Sequence, residues 1–192
     1  MFKDLVKRNR SYRNYDRSVE VTKDRLIEMV DCARQTPASM SIQPLKYRLV
    51  TDKEECAAVL SNIIYAASLA DYNFPYIGKE APAYILICQD TKIHSNPDRF
   101  LKDVGIVAQI ITLAATEMGL GCCMIGNYNK EKLRNDIDLS SDYIIQLVIS
   151  IGAPGEEIRL VDVPEGESVM YYRDKDDVHY APKRVINDVI IK

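Results

Sequence analysis

The sequence of 192 residues has no tryptophan, two histidines and five cysteines, and this scarcity limits the metal and redox sites it can form. No two cysteines are spaced as C-x-x-C, and His94 and His179 are the only imidazole ligands, so zinc sites built from paired Cys and His are excluded. Cys122 and Cys123 are adjacent on a predicted strand and point to opposite faces, which disfavours a shared redox or metal role. We expect reduced thiols, mostly buried as small apolar groups, in a cytoplasmic protein.

Long apolar runs are also missing from the sequence. The longest, residues 104–115, contains Gln109 and Thr112 and is too short to cross a bilayer. The positively charged N-terminus is not followed by the apolar stretch of a signal peptide. A net charge of -3 and a pI near 5.5 argue against binding to nucleic acids or anionic membranes, which attract basic surfaces. We expect a soluble globular protein with neither kind of partner.

The two common nucleotide-binding fingerprints are missing as well. Gly119 and Gly121 begin a G-x-G-x-x-G pattern, but Met124 stands where the third glycine is needed. Gly78 and Lys79 are not followed by the Ser or Thr of a P-loop. A bound phosphate group must therefore be held by side chains and isolated backbone amides.

What the sequence does contain is a compact group of hydrogen-bond donors near its N-terminus, Arg10, Ser11, Tyr12 and Arg13. Two guanidiniums on either side of a hydroxyl suit phosphate oxygens better than a packed core, because a guanidinium binds an oxyanion through paired hydrogen bonds. The pattern favours a phosphorylated small molecule as the ligand. The alternative is a solvated surface patch in which Ser11 only caps a helix.

The length of 192 residues fits one domain, and apolar periodicity predicts helices and strands that alternate without the regular rhythm of a doubly wound sheet. Helices are predicted over residues 2–9, 22–35 with Thr22 as N-cap, 54–69, 100–118 and 130–136. Strands are predicted over residues 47–51, 83–88, 121–126 and 144–151, the last of them buried on both faces. The remainder, to Lys192, is rich in proline and charge and predicts an extended tail. The fold class is therefore α+β, or mixed α/β.

A polar loop follows the second predicted helix. Residues 36–44 combine small hydroxyl side chains with Pro37 and Pro44, which predicts a rigid backbone. Such a loop either contributes to a binding site or simply connects two elements. The residues alone leave both possibilities open.

Taken in order along nearly the whole chain, these segments resemble the motifs of the FMN-dependent nitroreductase family. Residues 9–13 are similar to the family's Arg-Arg-Ser-x-Arg pattern, and residues 37–45 to its Pro-Ser-x-x-Asn-x-Gln-Pro-Trp loop with an offset serine. The central helix and turn of the family are matched by Asp103, Gly105, Gln109, Leu113, Ala114, Ala115, Gly119, Leu120 and Gly121. Residues 150–154, the glycine-ended strand before Gly126 and the basic residues 182–184 complete the resemblance.

The resemblance implies the architecture and the reaction. It implies one domain over residues 1–192, with a three-layer α/β/α core, a central mixed sheet, and an extension over about residues 165–192 that packs on the partner subunit. It also implies a homodimer that binds FMN at the subunit interface. NADH or NADPH would be the reductant, and nitroaromatics, quinones or similar electron-poor small molecules would be reduced by a ping-pong mechanism.

The resemblance also assigns site residues around the phosphate and the pyrimidine edge of the flavin. Arg10 and Ser11 would hold the phosphate, with Lys183 or Arg184 closing on it from the C-terminal segment. Arg13 would lie near the pyrimidine edge, where a positive charge stabilises the reduced ring. It would tune the potential and would not supply a proton.

The remaining implied contacts come from a loop and a strand end. Pro37, Ala38, Ser39 and Ser41 of the partner subunit would contact the ring and the ribityl chain. A backbone amide within residues 124–126, Met124, Ile125 and Gly126, would face flavin N5, since glycine permits close approach of the backbone. No residue is assigned as a catalytic acid or base, because the cofactor performs the chemistry.

Three positions depart from the family's motifs. Asn9 stands where the family often has the first of two arginines, so that phosphate binding would depend on Arg10, with Arg8 as a further candidate. Ser41 replaces an asparagine and so removes an amide donor and acceptor. Leu45 replaces a tryptophan, and an aromatic wall is lost there. Among the twelve tyrosines, Tyr65, Tyr72 and Tyr76 are candidates to line the substrate pocket instead, although such residues also serve as packing.

Two other functions are compatible with the sequence. The first is a flavin-binding or regulatory protein that keeps the fold but lacks turnover because of the changes at Ser41 and Leu45. The second is a structural or interaction domain, in which residues 10–13 form only a surface patch. Flavin content and its reduction by NADH separate these functions from the enzyme.

Overall fold

The computed structural model describes residues 1–66, 69 and 72–191. Its helices are α1 (Phe2–Arg8), α2 (Lys23–Arg34), α3 (Lys53–Leu60), α4 (Leu101–Glu117) and α5 (Lys130–Asp136). Its strands are β1 (Tyr15–Asp16), β2 (Leu45–Val50), β3 (Ala83–Asp90), β4 (Gly121–Ile125), β5 (Tyr143–Pro154), β6 (Ile158–Val163), β7 (Tyr172–Arg173) and β8 (His179–Arg184). Within the described ranges, no helix combines the length and apolar character needed to cross a bilayer.

The central sheet is built around β5. One edge of β5 pairs with β3, which in turn pairs with β2, and both pairings are antiparallel. The other edge pairs with β4 and, further along, with β1. A parallel bridge joins Ser11 to Cys122 of β4, so the N-terminal segment continues the sheet past β4 and makes it mixed.

Helices cover both faces of this sheet. On one face, α2 and α4 share an apolar cluster with β3 and β5 that includes Ile111 and Ile85. On the other face, α3 and α5 share a second cluster with the same strands, including Leu133 and Leu86. Strands covered on both sides are expected to read as continuous apolar runs, as β3 and β5 do. The predicted α/β/α core and the doubly buried strand are confirmed.

Local signals set the helix ends as predicted. The Thr22 hydroxyl oxygen accepts a hydrogen bond from the Arg25 backbone N–H at 3.5 Å, so Thr22 is the N-cap of α2. After α4, Gly119 adopts a φ of +79°, a conformation that favours glycine and ends the helix before β4 begins. The chain therefore reverses within a few residues, which brings β4 back beside β5.

The helix predicted over residues 54–69 is wrong beyond Leu60. After α3 the chain turns at residues 61–62, and Ile63 then forms an antiparallel bridge with Tyr128. The Ile64 backbone N–H donates to the Asn127 carbonyl oxygen at 2.9 Å. Adjacent β-branched residues favour this pairing over a helical turn. Residues 67 and 68 of the predicted span lie outside the described residues.

The chain after β5 is more regular than its composition predicts. Residues 158–184 were expected in an extended tail and instead form a three-stranded sheet in the order β6-β8-β7. β6 and β8 are parallel, whereas β7 and β8 are antiparallel. Most side chains of β6 are exposed or half-buried, so its apolar pattern is too weak to predict a strand. The contact of about residues 165–192 with a partner subunit stays a prediction.

Candidate functional site

A cavity of about 250 Å³, here called the β4 pocket, opens at the C-terminal end of β4. Its walls come from the N-terminal segment, the end of β4, residues 64–66 after α3, and Tyr171 just before β7. These parts of the chain are far apart in sequence. Predicted site residues that line this one cavity are Ser11, Arg13, Met124, Ile125 and Gly126.

The N-terminal donors reach the pocket because residues 10–13 lie along the edge of β4. The Tyr12 backbone N–H donates to the Cys122 carbonyl oxygen at 2.9 Å. In this register Ser11 and Arg13 share one side, since alternate residues of an extended segment face the same way. Gly121 permits the close approach, because a Cβ built there would lie 2.4 Å from Cδ2 of Tyr12. Backbone pairing with β4 therefore positions the side chains of Ser11 and Arg13 at the pocket.

Arg10 is not among the residues that line the β4 pocket. Its Nη2 donates to the Val6 carbonyl oxygen of α1 at 2.8 Å, and burial lowers the pKa of Arg10. Nε of Arg10 is buried and has no hydrogen-bond partner in the described part of the chain. A buried donor without an acceptor costs free energy, so this guanidinium can still gain an anionic partner.

Arg13 is the buried cation of the pocket, with 7% of its surface exposed. Its Nη1 donates to the Ser11 carbonyl oxygen at 3.1 Å and lies 3.3 Å from Nε2 of His179. Its guanidinium carbon lies 5.0 Å from the ring centroid of Tyr171, a cation–π contact. Among the described residues, no carboxylate pairs with the guanidinium of Arg13, and its Nε is buried without a partner. The side chain therefore presents an uncompensated positive charge beside the cavity.

A buried group of charges, here called the Glu156 cluster, lies behind Arg13. Glu156 accepts hydrogen bonds from the backbone N–H groups of Arg13 and Asn14 through one oxygen and pairs with Arg173 through the other. Arg173 also donates to Oδ1 of Asp177 at 2.7 Å. The side chains of Arg173 and Glu156 are 0% and 2% exposed. The cluster fastens the N-terminal segment to the hairpin of β7 and β8.

His179 is neutral in this setting. Burial and then the charges of Arg13 and Arg173 lower the pKa of His179 to about 4. Because an arginine can only donate, Nε2 of His179 accepts the contact from Nη1, and the proton of the imidazole belongs on Nδ1. The residue therefore adds no charge to the pocket.

The two adjacent cysteines of β4 are buried, free thiols. Cys122 and Cys123 belong to apolar clusters on opposite faces of the sheet, as predicted. Burial raises the pKa of Cys123 to about 11 and raises that of Cys122 as well. A thiol is reactive only as a thiolate, so neither is activated. In the described ranges, no group of three or more His, Cys, Asp and Glu side chains could hold a metal ion.

The predicted contacts within residues 36–44 lie elsewhere on the chain. Ser39 donates to the buried Asp103 of α4 from its backbone N at 3.1 Å and from its hydroxyl at 2.6 Å. Pro37 and Ala38 line a separate cavity of about 70 Å³ beside α4. Neither these residues nor Ser41 line the β4 pocket. One chain therefore supplies only part of the predicted site.

The C-terminal cations also lie away from the β4 pocket. Nη1 of Arg184 donates to the Pro164 carbonyl oxygen at 2.6 Å, at the opposite end of β8 from His179. Five residues of extended strand span roughly 16 Å. One chain thus places His179 beside the pocket and does not bring Lys183 or Arg184 to it. Their contact with phosphate stays a prediction.

The tyrosines considered for the substrate pocket have different positions. Tyr65 lines the β4 pocket. Tyr76 donates its hydroxyl to Oδ1 of Asp177 at 3.0 Å, and the ring of Tyr72 stacks on Phe74 at 5.8 Å between centroids. Of the three tyrosines, Tyr65 lines the β4 pocket and the other two do not.

Sequence reasoning missed the residues that contact Arg13 from distant parts of the chain, namely Glu156, Tyr171 and His179. It also missed four further residues of the pocket lining, namely Ile64, Ala66, Cys123 and Asn127. Glu156 and His179 contact Arg13 across 143 and 166 positions, and no local pattern marks such partners. The sequence has only two histidines, and this rarity could have marked His179 as a candidate site residue. In the sequence analysis it served only to exclude a zinc site. A single tyrosine among twelve gives no signal at all.

Comparison with known proteins places this arrangement in a family. The sequence profile described as the nitroreductase family matches residues 6–153. A relative from Methanothermobacter thermautotrophicus, provisionally named NADH dehydrogenase/NAD(P)H nitroreductase, is 28% identical, with 80% of this chain and 77% of that protein covered.

Solved structures agree with the profile. An FMN-dependent nitroreductase from Clostridium difficile R20291 is 28% identical with a TM-score of 0.64, and 80% and 87% of the two chains are covered. A nitroreductase family protein from Streptococcus pneumoniae TIGR4 is 17% identical, and with 100% of both chains covered and a TM-score of 0.72 it shares the fold. Since the family profile covers more than half of the chain, this protein belongs to the nitroreductase family.

Proposed function

We propose that this protein is an FMN-dependent oxidoreductase that takes reducing equivalents from NADH or NADPH and passes them to an electron-poor acceptor. The acceptors are nitroaromatics, quinones or similar small molecules, and the mechanism is ping-pong. Family membership, and relatives named NAD(P)H nitroreductase, support the oxidoreductase class. The observation on which the cofactor assignment depends is the buried, uncompensated guanidinium of Arg13 beside the β4 pocket. FMN, when bound, supplies the hydride chemistry.

The residues of the β4 pocket fit the ring of a flavin. Nε of Arg13 needs an acceptor, and its positive charge stabilises negative charge on a bound ring. A Cβ built at Gly126 would meet nothing within 4 Å, so the backbone there is open to a flat ligand. Met124 is 38% exposed at the same strand end and offers an apolar contact. Together these residues bind and orient the ring.

The phosphate is assigned to the beginning of the N-terminal segment that borders β4. Arg10 and Ser11 would donate to it, and the unpartnered Nε of Arg10 supports this role. Lys183 or Arg184 would approach from the C-terminal segment. Charge-assisted hydrogen bonds from guanidinium to phosphate are among the stronger ones in proteins, so Arg10 should dominate retention of the cofactor.

The site would be completed in a homodimer. Residues 37–41 would reach the β4 pocket of the partner, and the C-terminal extension would pack on it. Exposed apolar side chains support association, because Phe2 is 70% exposed and Met40 is 64% exposed. No residue of α1 is buried within one chain. Phe2 lies on the same face of α1 as Val6, which is four positions further on and 39% exposed, and an apolar patch of this kind commonly marks a protein interface.

A cytoplasmic location is part of the proposal. All five cysteines carry free thiols, and Cys32 is exposed. Exposed thiols persist where the cell keeps them reduced. Cell fractionation that places the protein in the periplasm or outside the cell would contradict this assignment.

The decisive experiment is a spectroscopic titration without oxygen. FMN is added to the purified protein, binding is followed by flavin fluorescence, and excess NADH or NADPH is then introduced. Bleaching of the bound flavin, followed by recovery of its absorbance on adding a nitroaromatic or a quinone, is the expected result. Bound flavin that stays oxidised would favour the non-catalytic flavin protein, and no uptake of FMN would favour the interaction domain.

Arg10→Ala tests the phosphate contact. Loss of a hydrogen bond to a charged group should weaken FMN binding by about 1.5–3 kcal/mol, measured by fluorescence titration. Arg159→Ala is the matched control, because Arg159 is an exposed arginine on β6 that pairs with Glu157 at 2.7 Å. Equal FMN affinity in the two variants would remove Arg10 from the site.

A further inference from the structure

Two buried guanidiniums near the β4 pocket are compensated in different ways. Arg13 and Arg173 are each 7% exposed. Arg173 has two carboxylate partners, Glu156 and Asp177. Arg13 has none among the described residues and contacts a carbonyl, an imidazole and an aromatic ring instead. The fold neutralises one cation and preserves the charge of the other.

The contacts of Arg13 hold one end of its guanidinium. Nη1 has two N–H groups, and two acceptors lie within reach, the Ser11 carbonyl oxygen at 3.1 Å and Nε2 of His179 at 3.3 Å. Nε is buried and has no partner among the residues that the structure describes. Because the guanidinium is planar and rigid, fixing Nη1 also fixes the direction of Nε. The imidazole and the Ser11 carbonyl together therefore fix the orientation of the guanidinium beside the pocket.

His179 itself is held firmly by the backbone around it. Its N–H donates to the Glu157 carbonyl oxygen at 2.9 Å, and it pairs with Arg173 of β7 in the sheet. Its ring lies 5.4 Å from that of Tyr171, which also lines the pocket. With 3% of its surface exposed, the side chain has little freedom to turn away. A fixed acceptor can therefore orient Arg13.

We propose that His179 is a positioning residue whose neutral imidazole holds the Arg13 guanidinium toward the β4 pocket without cancelling its charge. The expected effect on flavin rests on the proposed function, whereas the contact between the two side chains does not. His179 acts through Arg13 and does not take part in proton transfer.

A neutral acceptor differs physically from a carboxylate at this place. A carboxylate would orient the guanidinium equally well, but its negative charge would offset the positive charge that Arg13 offers to a ligand. An imidazole accepts one hydrogen bond and adds no net charge. Protonation of His179 would turn an N–H toward Arg13 and lose the acceptor, and burial lowers its pKa to about 4. The imidazole therefore keeps this function at neutral pH.

The contact is tested first without any cofactor, by nitrogen-15 NMR of the imidazoles at pH 7. We expect the His179 resonances of a neutral ring with the proton on Nδ1. His94 is the internal reference, and single replacement of each histidine assigns the signals. A proton on Nε2, or a charged ring, would overturn the proposal because Nε2 could not then accept from Arg13.

The effect on a bound flavin is tested with three variants. His179→Gln keeps an acceptor near the position of Nε2, His179→Leu removes it, and His179→Glu adds a negative charge. FMN dissociation constants should change by less than about twofold for His179→Gln and rise about tenfold for His179→Leu, which corresponds to about 1.4 kcal/mol. The control is His94→Leu, since His94 packs against Phe100 and lies outside the pocket lining.

The midpoint potential of the flavin separates positioning from a merely structural role. If His179→Glu weakens binding of reduced FMN tenfold more than that of oxidised FMN, the potential falls by about 30 mV. His179→Gln should keep the potential of the wild type. The proposal is overturned if the midpoint potential is unchanged in His179→Glu. It is also overturned if His179→Leu and His94→Leu have equal FMN dissociation constants. Because the two tests use different variants, either one still decides if the other variant folds poorly.

A failure of the proposed function gives a different result. If the wild type binds no FMN, the cofactor assignment fails, and the NMR experiment still decides whether His179 holds Arg13. If the wild type binds FMN but the variants behave like the control, the cofactor assignment stands and the positioning function fails.

Discussion

The β4 pocket and the loop over residues 36–44 differ in how complete they are within one chain. The pocket is assembled from segments at both ends of the sequence, which the Glu156 cluster fastens together through buried charges. The loop is attached to α4 by hydrogen bonds between Ser39 and Asp103 and shares no lining residue with the pocket. Both were predicted as parts of one site.

This difference indicates that the two halves of the site form in different ways. The pocket half depends on folding of a single chain, so changes in the Glu156 cluster should affect stability and flavin binding together. The loop half does not line the pocket of its own chain and, in the proposed dimer, would act on a partner's flavin. Changes there should affect flavin binding only in an assembled dimer, if the proposed association is correct.

Removal of Glu156 should have the largest effect on the pocket half. Glu156→Ala leaves Arg173 without one of its buried partners and leaves two backbone N–H groups unpaired, so we expect a loss of about 3–5 kcal/mol in the free energy of unfolding. Urea unfolding measures it. Glu157→Ala is the matched control, because Glu157 forms an exposed ion pair with Arg159 and should be close to neutral. Similar losses in both variants would contradict a special role for the cluster.

The second-largest effect should be a loss of stability in acid, again in the pocket half. His179 has a pKa near 4 in the folded protein and about 6.5 when unfolded, so the unfolded chain binds a proton that the folded one excludes. The neutral His179 therefore adds about 3 kcal/mol to the free energy of unfolding above pH 6.5, and this stabilisation is lost as the pH falls toward 4. His179→Gln, which cannot titrate, should remove this part of the pH dependence. Unfolding curves that change with pH to the same extent in both proteins would contradict the neutral assignment.

In the loop half, Ser39→Ala should lower the free energy of unfolding. Its hydroxyl donates to the buried Asp103 at 2.6 Å, and loss of a hydrogen bond to a carboxylate should cost about 1.5–3 kcal/mol of unfolding free energy. Ser41→Ala provides the comparison, because the exposed Ser41 hydroxyl has no hydrogen bond in the described part of the chain. We expect Ser41→Ala to leave stability unchanged and to weaken FMN retention only in the dimer. Lower stability in Ser41→Ala would show that the loop is held differently.

Gly105→Ala should give the smallest effect and tests whether a partner covers α4. A Cβ at Gly105 would meet nothing within 4 Å in one chain, so alanine should stabilise the helix by about 0.5–1 kcal/mol. If a second subunit packs on this face, the gain should shrink or reverse as protein concentration rises. Urea unfolding at several concentrations, with sedimentation to report the oligomeric state, distinguishes the two cases.

Much of the fold could be predicted because its signals are local. Thr22 as N-cap, Gly119 after α4 and the doubly buried apolar run of β5 each follow from a few neighbouring residues. The prediction failed after Leu60, where Ile63 pairs with a distant residue, and in β6, whose exposed face carries little apolar pattern. Tertiary pairing overrode local propensity in the first case. In the second, shallow burial left no periodicity to detect.

The sequence by itself determined the helices and doubly buried strands and the N-terminal donors from Arg10 to Arg13, since capping, burial periodicity and charge type belong to short stretches of chain. Only the tertiary structure decided that Arg173 is paired with carboxylates while Arg13 has no carboxylate partner among the described residues. Compensation of a buried cation depends on which groups lie within a few ångströms. For Arg13, two of those groups, Glu156 and His179, are more than 140 residues away along the chain.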